Sequence, residues 1–184
     1  SLEGRYNAMG KPFAAATLVA ALALSVPALA DDGVTPAAVI ANVREVAAHL
    51  AREGAAGLPD FEKDGSPFVW ADTYVFVYDC ARDVIAAHPV PASRGLSISG
   101  LEGADGVPYG MALCKAAEVP GGSWGEYVWP KPTTDADGKV VYSKEAYRKV
   151  SYMLAVEGQP FEVGAGIYNE AMTLPELDAL VPKD

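Results

Sequence analysis

The chain has 184 residues, with 24 Asp and Glu against 14 Lys and Arg and a net charge of −10. It contains no basic cluster able to follow a phosphate backbone, which argues against nucleic acid as a partner. Such an acidic surface favours solubility, and an anionic ligand would need a local cation to overcome the field. At the N-terminus, Met9-Gly10-Lys11, an apolar run over residues 12–30 and then Asp31-Asp32 have the layout of an export signal. Lys11 supplies the basic n-region and Ala28-Leu29-Ala30 the small-x-small cleavage site, so cleavage is expected after Ala30. The alternative is a retained anchor, since the run approaches the roughly 20 residues a bilayer requires; Pro27 and the high alanine content favour processing. Residues 1–8, ahead of Met9, read as an expression remnant or a misplaced start. The remainder, residues 31–184, is expected to be one domain that buries roughly two-thirds of its unfolded surface.

Thr35-Pro36 offers an N-cap followed by a proline at the first helical position, and Val39, Val43, Val46 and Leu50 recur at helical spacing up to Gly54. Residues 55–67, rich in Gly, Pro and Asp, read as loop. The period then changes: Tyr74, Phe76 and Tyr78 alternate with Val75 and Val77 in a strand apolar on both faces. Asp79-Cys80-Ala81-Arg82-Asp83 forms a turn, and residues 84–88 return as the second strand of a hairpin, stopped by Pro89 and Pro91. Residues 93–108 are connecting structure, followed by a short helix near 110–117. Residues 124–129 read as a third strand ended by Pro130 and Pro132, and residues 135–138 as a turn. Residues 150–156 and 162–168 form two further strands joined by Gly158-Gln159-Pro160, and Thr173, Pro175, Leu177 and Leu180 suggest a closing helix. One long helix followed by an antiparallel sheet, with an excursion between the second and third strands, is an α+β arrangement. The helix is expected to cover one face of the sheet, and the excursion to roof a small-molecule pocket on the other.

Five blocks, taken together and in order, are more informative than any one of them. They are Pro67-Phe68-Val69-Trp70-Ala71-Asp72-Thr73-Tyr74-Val75-Phe76-Val77, Ala87-His88-Pro89, Gly122-Ser123-Trp124-Gly125-Glu126-Tyr127-Val128-Trp129-Pro130, Lys149-Val150-Ser151-Tyr152 and Val163-Gly164-Ala165-Gly166-Ile167-Tyr168. This series resembles the single Cache domain family, type 2, over residues 39–168. The resemblance implies a PAS-like fold, with a long N-terminal helix on a five- to six-stranded antiparallel sheet. It also implies extracytoplasmic sensing of a small organic ligand, often a carboxylate, in the setting of a membrane chemoreceptor or sensor kinase. This chain shows no second membrane helix, signalling coiled coil or kinase, so it reads as a stand-alone secreted member, periplasmic or released. Its hairpin turn at residues 79–83 lacks the glycine usual in that family.

A carboxylate in a pocket requires a cation or several aimed donors. Lys149, at the head of the Lys-x-x-Tyr block, is the first candidate, against the alternative of a solvated basic edge formed with Lys144 and Arg148. His88, ending an apolar strand before a proline, could donate to the anion or carry a pH-dependent charge, against the alternative of a hydrogen-bonded core histidine. His49 lies on a helix flank without a motif and reads as surface. Arg94 is a second candidate cation. Tyr74, Phe76, Tyr127 and Trp129 suit a pocket enclosing an apolar stub, against the alternative that they pack as core, and Trp70 would close its mouth. Tyr152 matches the family block but has the opposite strand parity to Lys149, so both can face the ligand only across a bulge. Gly164 and Gly166 share one face of the last strand, where either the helix packs closely or the ligand finds room. Cys80 and Cys114 either form one disulfide in an oxidising compartment or stay as two buried thiols.

No Gly-x-Ser-x-Gly, His-Glu-x-x-His or phosphate-cradling glycine loop is present, so catalysis is not expected. The spacing of Asp72, Asp79 and Asp83 lacks the Ca²⁺-loop pattern, and two histidines without Cys-x-x-Cys-His give no haem site; no cofactor is expected. The expectation is therefore binding of a short-chain carboxylate such as acetate, propionate, lactate or pyruvate. The alternative is a secreted module that docks on a receptor or periplasmic partner through exposed aromatics around Trp124 and Trp129.

Overall fold

The computed structural model describes residues 33–63, 68–70, 73–134 and 140–183. The stretch read as an export signal, Asp72 and the turn expected at residues 135–138 lie outside them. The first helix, α1 (Pro36–Glu53), starts as its sequence dictates. The Thr35 hydroxyl accepts from the Ala38 amide at 3.2 Å, Pro36 occupies a position that needs no amide donor, and the chain leaves the helix at Gly54 with φ +59°. Val39, Val43, Val46 and Leu50 form its fully buried stripe. Of the residues expected as loop, 55–67, those up to Glu62 coil instead into 3-10 turns (Gly54–Glu62). Apolar Leu58 and Phe61 have surface to bury there, and Phe61 stacks on Phe68 with centroids 4.5 Å apart.

Among the described residues six strands form one antiparallel sheet: β1 (Val69–Trp70), β2 (Thr73–Asp79), β3 (Val84–Ala87), β4 (Ser123–Thr134), β5 (Val140–Ala155) and β6 (Glu162–Tyr168). The order is β1-β2-β6-β5-β4, with β3 also paired to β2. A hairpin is followed by an excursion through α2 (Gly110–Ala117), and then by a meander whose last strand returns beside the first. This is the α+β, PAS-like architecture. Helix α3 (Leu174–Asp178) closes the chain under a Thr173/Glu176 capping box, and its Asp178 accepts from the Ser123 hydroxyl and the Trp124 amide at the start of β4.

Two strand limits differ from expectation by more than one residue. Pro130 and Pro132 do not end β4, which runs on to Thr134. β4 is an edge strand, and the Lys131 amide between the prolines is the one turned toward β5, where it donates to the Ser143 hydroxyl at 2.9 Å. The two prolines therefore lack only donors that would face outward. β5 begins at Val140, ten residues before Val150, and pairs with the extended part of β4.

Alternation along the strands separates two cores. Val75, Val77, Val150, Tyr152, Val163, Ala165, Ile167 and Trp124 pack with α1. Phe76, Tyr78, Met153 and Ile85 pack with Leu113, Cys114, Ala116 and Ala117 of α2 on the opposite face. Gly164 and Gly166 lie on this second face, not under α1. A Cβ at Gly164 would come 2.6 Å from Phe76 Cζ, and one at Gly166 2.4 Å from Ser151 Oγ and 2.9 Å from Lys149 Cε. Neighbouring side chains therefore fill the space that these glycines leave.

A disulfide joins Cys80, in the turn after β2, to Cys114 of α2, with their Cα atoms 6.0 Å apart. Both flanks of the sheet carry irregular chain. The Ile85 amide of β3 donates to the Leu96 carbonyl and the Gly95 amide to the Ile85 carbonyl, while the Ala104 amide donates to the Val128 carbonyl of β4.

Candidate functional site

The second face of the sheet carries a polar cluster. Five polar side chains among the described residues are buried, namely Thr73, Asp79, His88, Lys149 and Ser151. Thr73 and Asp79 have local structural partners: the Thr73 hydroxyl donates to the Gly166 carbonyl, and the Asp79 carboxylate accepts from the Arg82 amide. Lys149, Ser151 and His88 gather around aromatic rings. Lys149 is only 6% exposed. On the ladder it pairs with Tyr127 of β4 on one side and Tyr168 of β6 on the other. Its Nζ lies 5.0 Å from the Tyr74 ring centroid and 5.4 Å from that of Tyr168, both within cation–π range. A desolvated ammonium needs such compensation, because burial without it would cost several kcal/mol.

His88 lies beside this cation, with its ring 4.8 Å from Tyr74 edge-on and 6.5 Å from Phe76. Its Nδ1 accepts from the Val90 amide at 2.9 Å, so the neutral ring carries its proton on Nε2 and has that donor to offer. Burial, then the charge of Lys149 and to a lesser extent that of Arg94, lower its pKa from 6.5 to about 4. At neutral pH His88 is therefore an uncharged donor, not the charged one that its position also allowed. Between pH about 4 and 6.5 the unfolded chain holds a proton that the folded chain does not, so ν_U exceeds ν_N and stability rises with pH. Stability should thus be complete above pH 6.5 and fall through that window on acidification, by about 3 kcal/mol in the limit. Urea unfolding of the protein and of His88→Gln from pH 4 to 7 measures this, and a difference between them that does not vary with pH would contradict it.

Tyr127 stacks on Tyr109 at 4.1 Å with the planes 7° apart, and Trp129 meets both rings edge-on. The Tyr127 hydroxyl lies 3.2 Å from Ser151 Oγ. Burial raises the phenol pKa of Tyr127 well above its usual value and that of Tyr109 to about 12, so both stay protonated donors. Arg94, half-buried after β3, adds positive charge near His88.

The structure thus brings Tyr74, His88, Arg94, Tyr127, Trp129 and Lys149 to one face. Phe76 is also there but lies deeper, 4% exposed against Tyr78 and Gly164, as floor. Tyr152 is not part of the cluster. β5 runs without a bulge from Lys149 to Tyr152, which turns the tyrosine to the α1 side, against Trp124 and with its hydroxyl donating to the Gly121 carbonyl. The side chain of Trp70 lies outside the described residues. Tyr109, Ser151 and Tyr168 were not expected here. Parity with Gly164 and Gly166 pointed to Tyr168 and parity with Lys149 to Ser151, whereas nothing in the sequence around Tyr109 marked it. Trp124, offered as an exposed docking aromatic, is 3% exposed in the α1 core. His49 sits on its helix flank, part-buried, 3.1 Å from Asp60.

Aromatic rings close over Lys149. Two surface clefts among the described residues are lined by neither Lys149 nor His88. One, of about 390 Å³, is at Gly121, Ser123, Asp178 and Val181; the other, of about 460 Å³, is outside β4 at Asp105, Tyr109, Tyr127 and Arg148. The second shares Tyr127 with the lysine cluster. Among the described residues no helix is long and apolar enough to cross a membrane.

Comparison with known proteins finds that the family model described as Single Cache domain 2 matches residues 19–158. No curated protein matches the sequence. Similar solved structures include a methyl-accepting chemotaxis protein from Vibrio parahaemolyticus RIMD 2210633, at 18% identity over 71% of this chain and 81% of that one, with a TM-score of 0.49. A Cache chemosensory domain described in terms of carboxylic acid recognition matches at 18% identity over 71% and 86%, with a TM-score of 0.46. A periplasmic sensor domain of a chemotaxis protein matches at 18% identity over 71% and 90%, with a TM-score of 0.43.

Proposed function

The chain belongs to the single Cache domain 2 family, and from that premise we propose that it is an extracytoplasmic sensor domain that binds a short-chain carboxylate without converting it. The observation that carries this reading is Lys149, an ammonium buried among rings next to a neutral histidine donor. A small carboxylate suits the cluster. One oxygen would take the charge of Lys149, the other would accept from His88 Nε2 or the Tyr127 hydroxyl, and the short apolar stub would lie against Trp129 and Tyr74. Arg94 strengthens the local field. The reading places the domain in the periplasm or outside the cell, exported by residues 9–30. A domain that binds without converting its ligand needs a reader, and a membrane receptor or sensor kinase is the partner class this calls for.

The test is a melting curve with acetate, propionate, lactate and pyruvate, paired with assay of the acid for turnover. A ligand at a hundred times its Kd adds about 2.7 kcal/mol, which in a domain of this size raises Tm by roughly 5–10 °C. The acid should be recovered unchanged. No shift with any of the four, or a stoichiometric excess of product, would overturn the proposal.

A further inference from the structure

β6 ends at Tyr168, on the rung it shares with Lys149, but β4 and β5 go on pairing beyond it as far as Thr134 and Val140. The two strands therefore project past the sheet as a hairpin arm that starts at the lysine cluster. Its register breaks once: Pro130 pairs with Ala146 and Pro132 with Tyr142, which leaves residues 143–145 of β5 opposite Lys131 alone.

Pro130 and Lys131 tie the base of this arm to the site through Tyr168. The Tyr168 hydroxyl donates to the Pro130 carbonyl at 2.7 Å. Lys131 Nζ lies 4.4 Å from the Tyr147 ring centroid and 5.2 Å from that of Tyr168, the ring that Lys149 also faces. Rings and ammonium groups thus alternate as Tyr74, Lys149, Tyr168, Lys131 and Tyr147, from the buried cluster toward solvent.

Two like charges drawn to one ring repel each other, and an arriving anion relieves that repulsion. The chain as a whole is acidic and repels anions, so capture depends on where its few positive groups stand. We propose that Lys131, set against the same Tyr168 ring as Lys149, is the entry cation that draws a carboxylate across the acidic surface to the buried lysine. This rests on the carboxylate reading above.

The test is stopped-flow tyrosine and tryptophan fluorescence on mixing with acetate, propionate, lactate and pyruvate. It compares the protein with Lys131→Met, Lys131→Arg, Lys149→Met and Lys63→Met, the last removing the same charge beside Asp60, away from the site. Lys131→Met should slow association by about five- to tenfold, flatten its dependence on ionic strength and leave dissociation within about twofold. Lys131→Arg should restore the rate and Lys63→Met should not change it. Association unaltered in Lys131→Met, or slowed no more than in Lys63→Met, would overturn the entry role, as would a loss carried by dissociation alone. Binding retained by Lys149→Met, or no binding of any of the four acids by the protein, would overturn the carboxylate reading itself and this inference with it.

Discussion

Lys149→Met is expected to weaken binding of short carboxylates by about 100-fold or more while leaving the domain folded. Removing one partner of a buried charge pair typically costs about 2–5 kcal/mol, because the anion is then desolvated with nothing to meet it. The stem, by contrast, loses little. Methionine has nearly the length of lysine without its charge, and it can lie across Gly166 as the Lys149 side chain does, so the packing of the stem is kept. Release from desolvating an ammonium could even raise stability. Titration calorimetry with the four acids, alongside urea unfolding, measures both quantities. A second readout needs no ligand: the charge of Lys149 helps lower the pKa of His88, so in the variant the imidazole should titrate higher, as followed by NMR. Undiminished affinity would remove Lys149 from the site; a His88 pKa that stays at about 4 would show that the charge of Lys149 has no part in setting it.

Reduction of the Cys80–Cys114 bond, or Cys80→Ser with Cys114→Ser, should destabilise the domain by about 3–4 kcal/mol, the loop-closure value for a link across 34 residues. At a few degrees per kcal/mol that is roughly a 10 °C fall in Tm. The effect should be concentrated in the excursion. Helix α2 has only eight residues, too few to hold its shape in isolation, and it is kept in place by the bond and by burial of Leu113, Ala116 and Ala117. Tyr109 immediately precedes it and stacks on Tyr127, so loosening α2 should weaken carboxylate binding as well as lower Tm. Scanning calorimetry with and without reductant measures the first effect and calorimetric titration the second. An unchanged Tm would show that burial alone retains the helix.

The parts of the fold most legible in the sequence were those where local chemistry and tertiary need agree. β6 and α2 run over the residues their patterns indicated, and Thr35-Pro36 marked the start of α1. β5 was half hidden, because residues 143–148 include Ser143, Lys144, Glu145 and Arg148 in no regular alternation and their partner strand contains two prolines. Nothing local shows that the prolines fall on an outward-facing edge; only the finished sheet does. Strand parity was the most productive single argument at the site. It raised the conflict between Lys149 and Tyr152, and the regular ladder resolves it by sending Tyr152 to the α1 side. The same rule applied to Gly164 and Gly166 would have found Tyr168. Tyr109 could not have been found in this way, since its place over Tyr127 depends on how α2 is docked, and a Cβ at neighbouring Gly110 would come 2.0 Å from the Ile98 carbonyl oxygen.

The irregular chain along the two flanks of the sheet bears on how the protein behaves when crowded. A bare outermost strand is a template onto which a second molecule can add its own backbone, the first step toward fibrils. Here Ile85 has already given its amide and carbonyl to residues 95 and 96, and the Val128 carbonyl is taken by Ala104. At these two places a would-be partner strand would have to strip away intramolecular bonds before it could start a stack, so the β3 edge and the Val128 stretch of β4 should resist self-templated addition for as long as these loops stay in place.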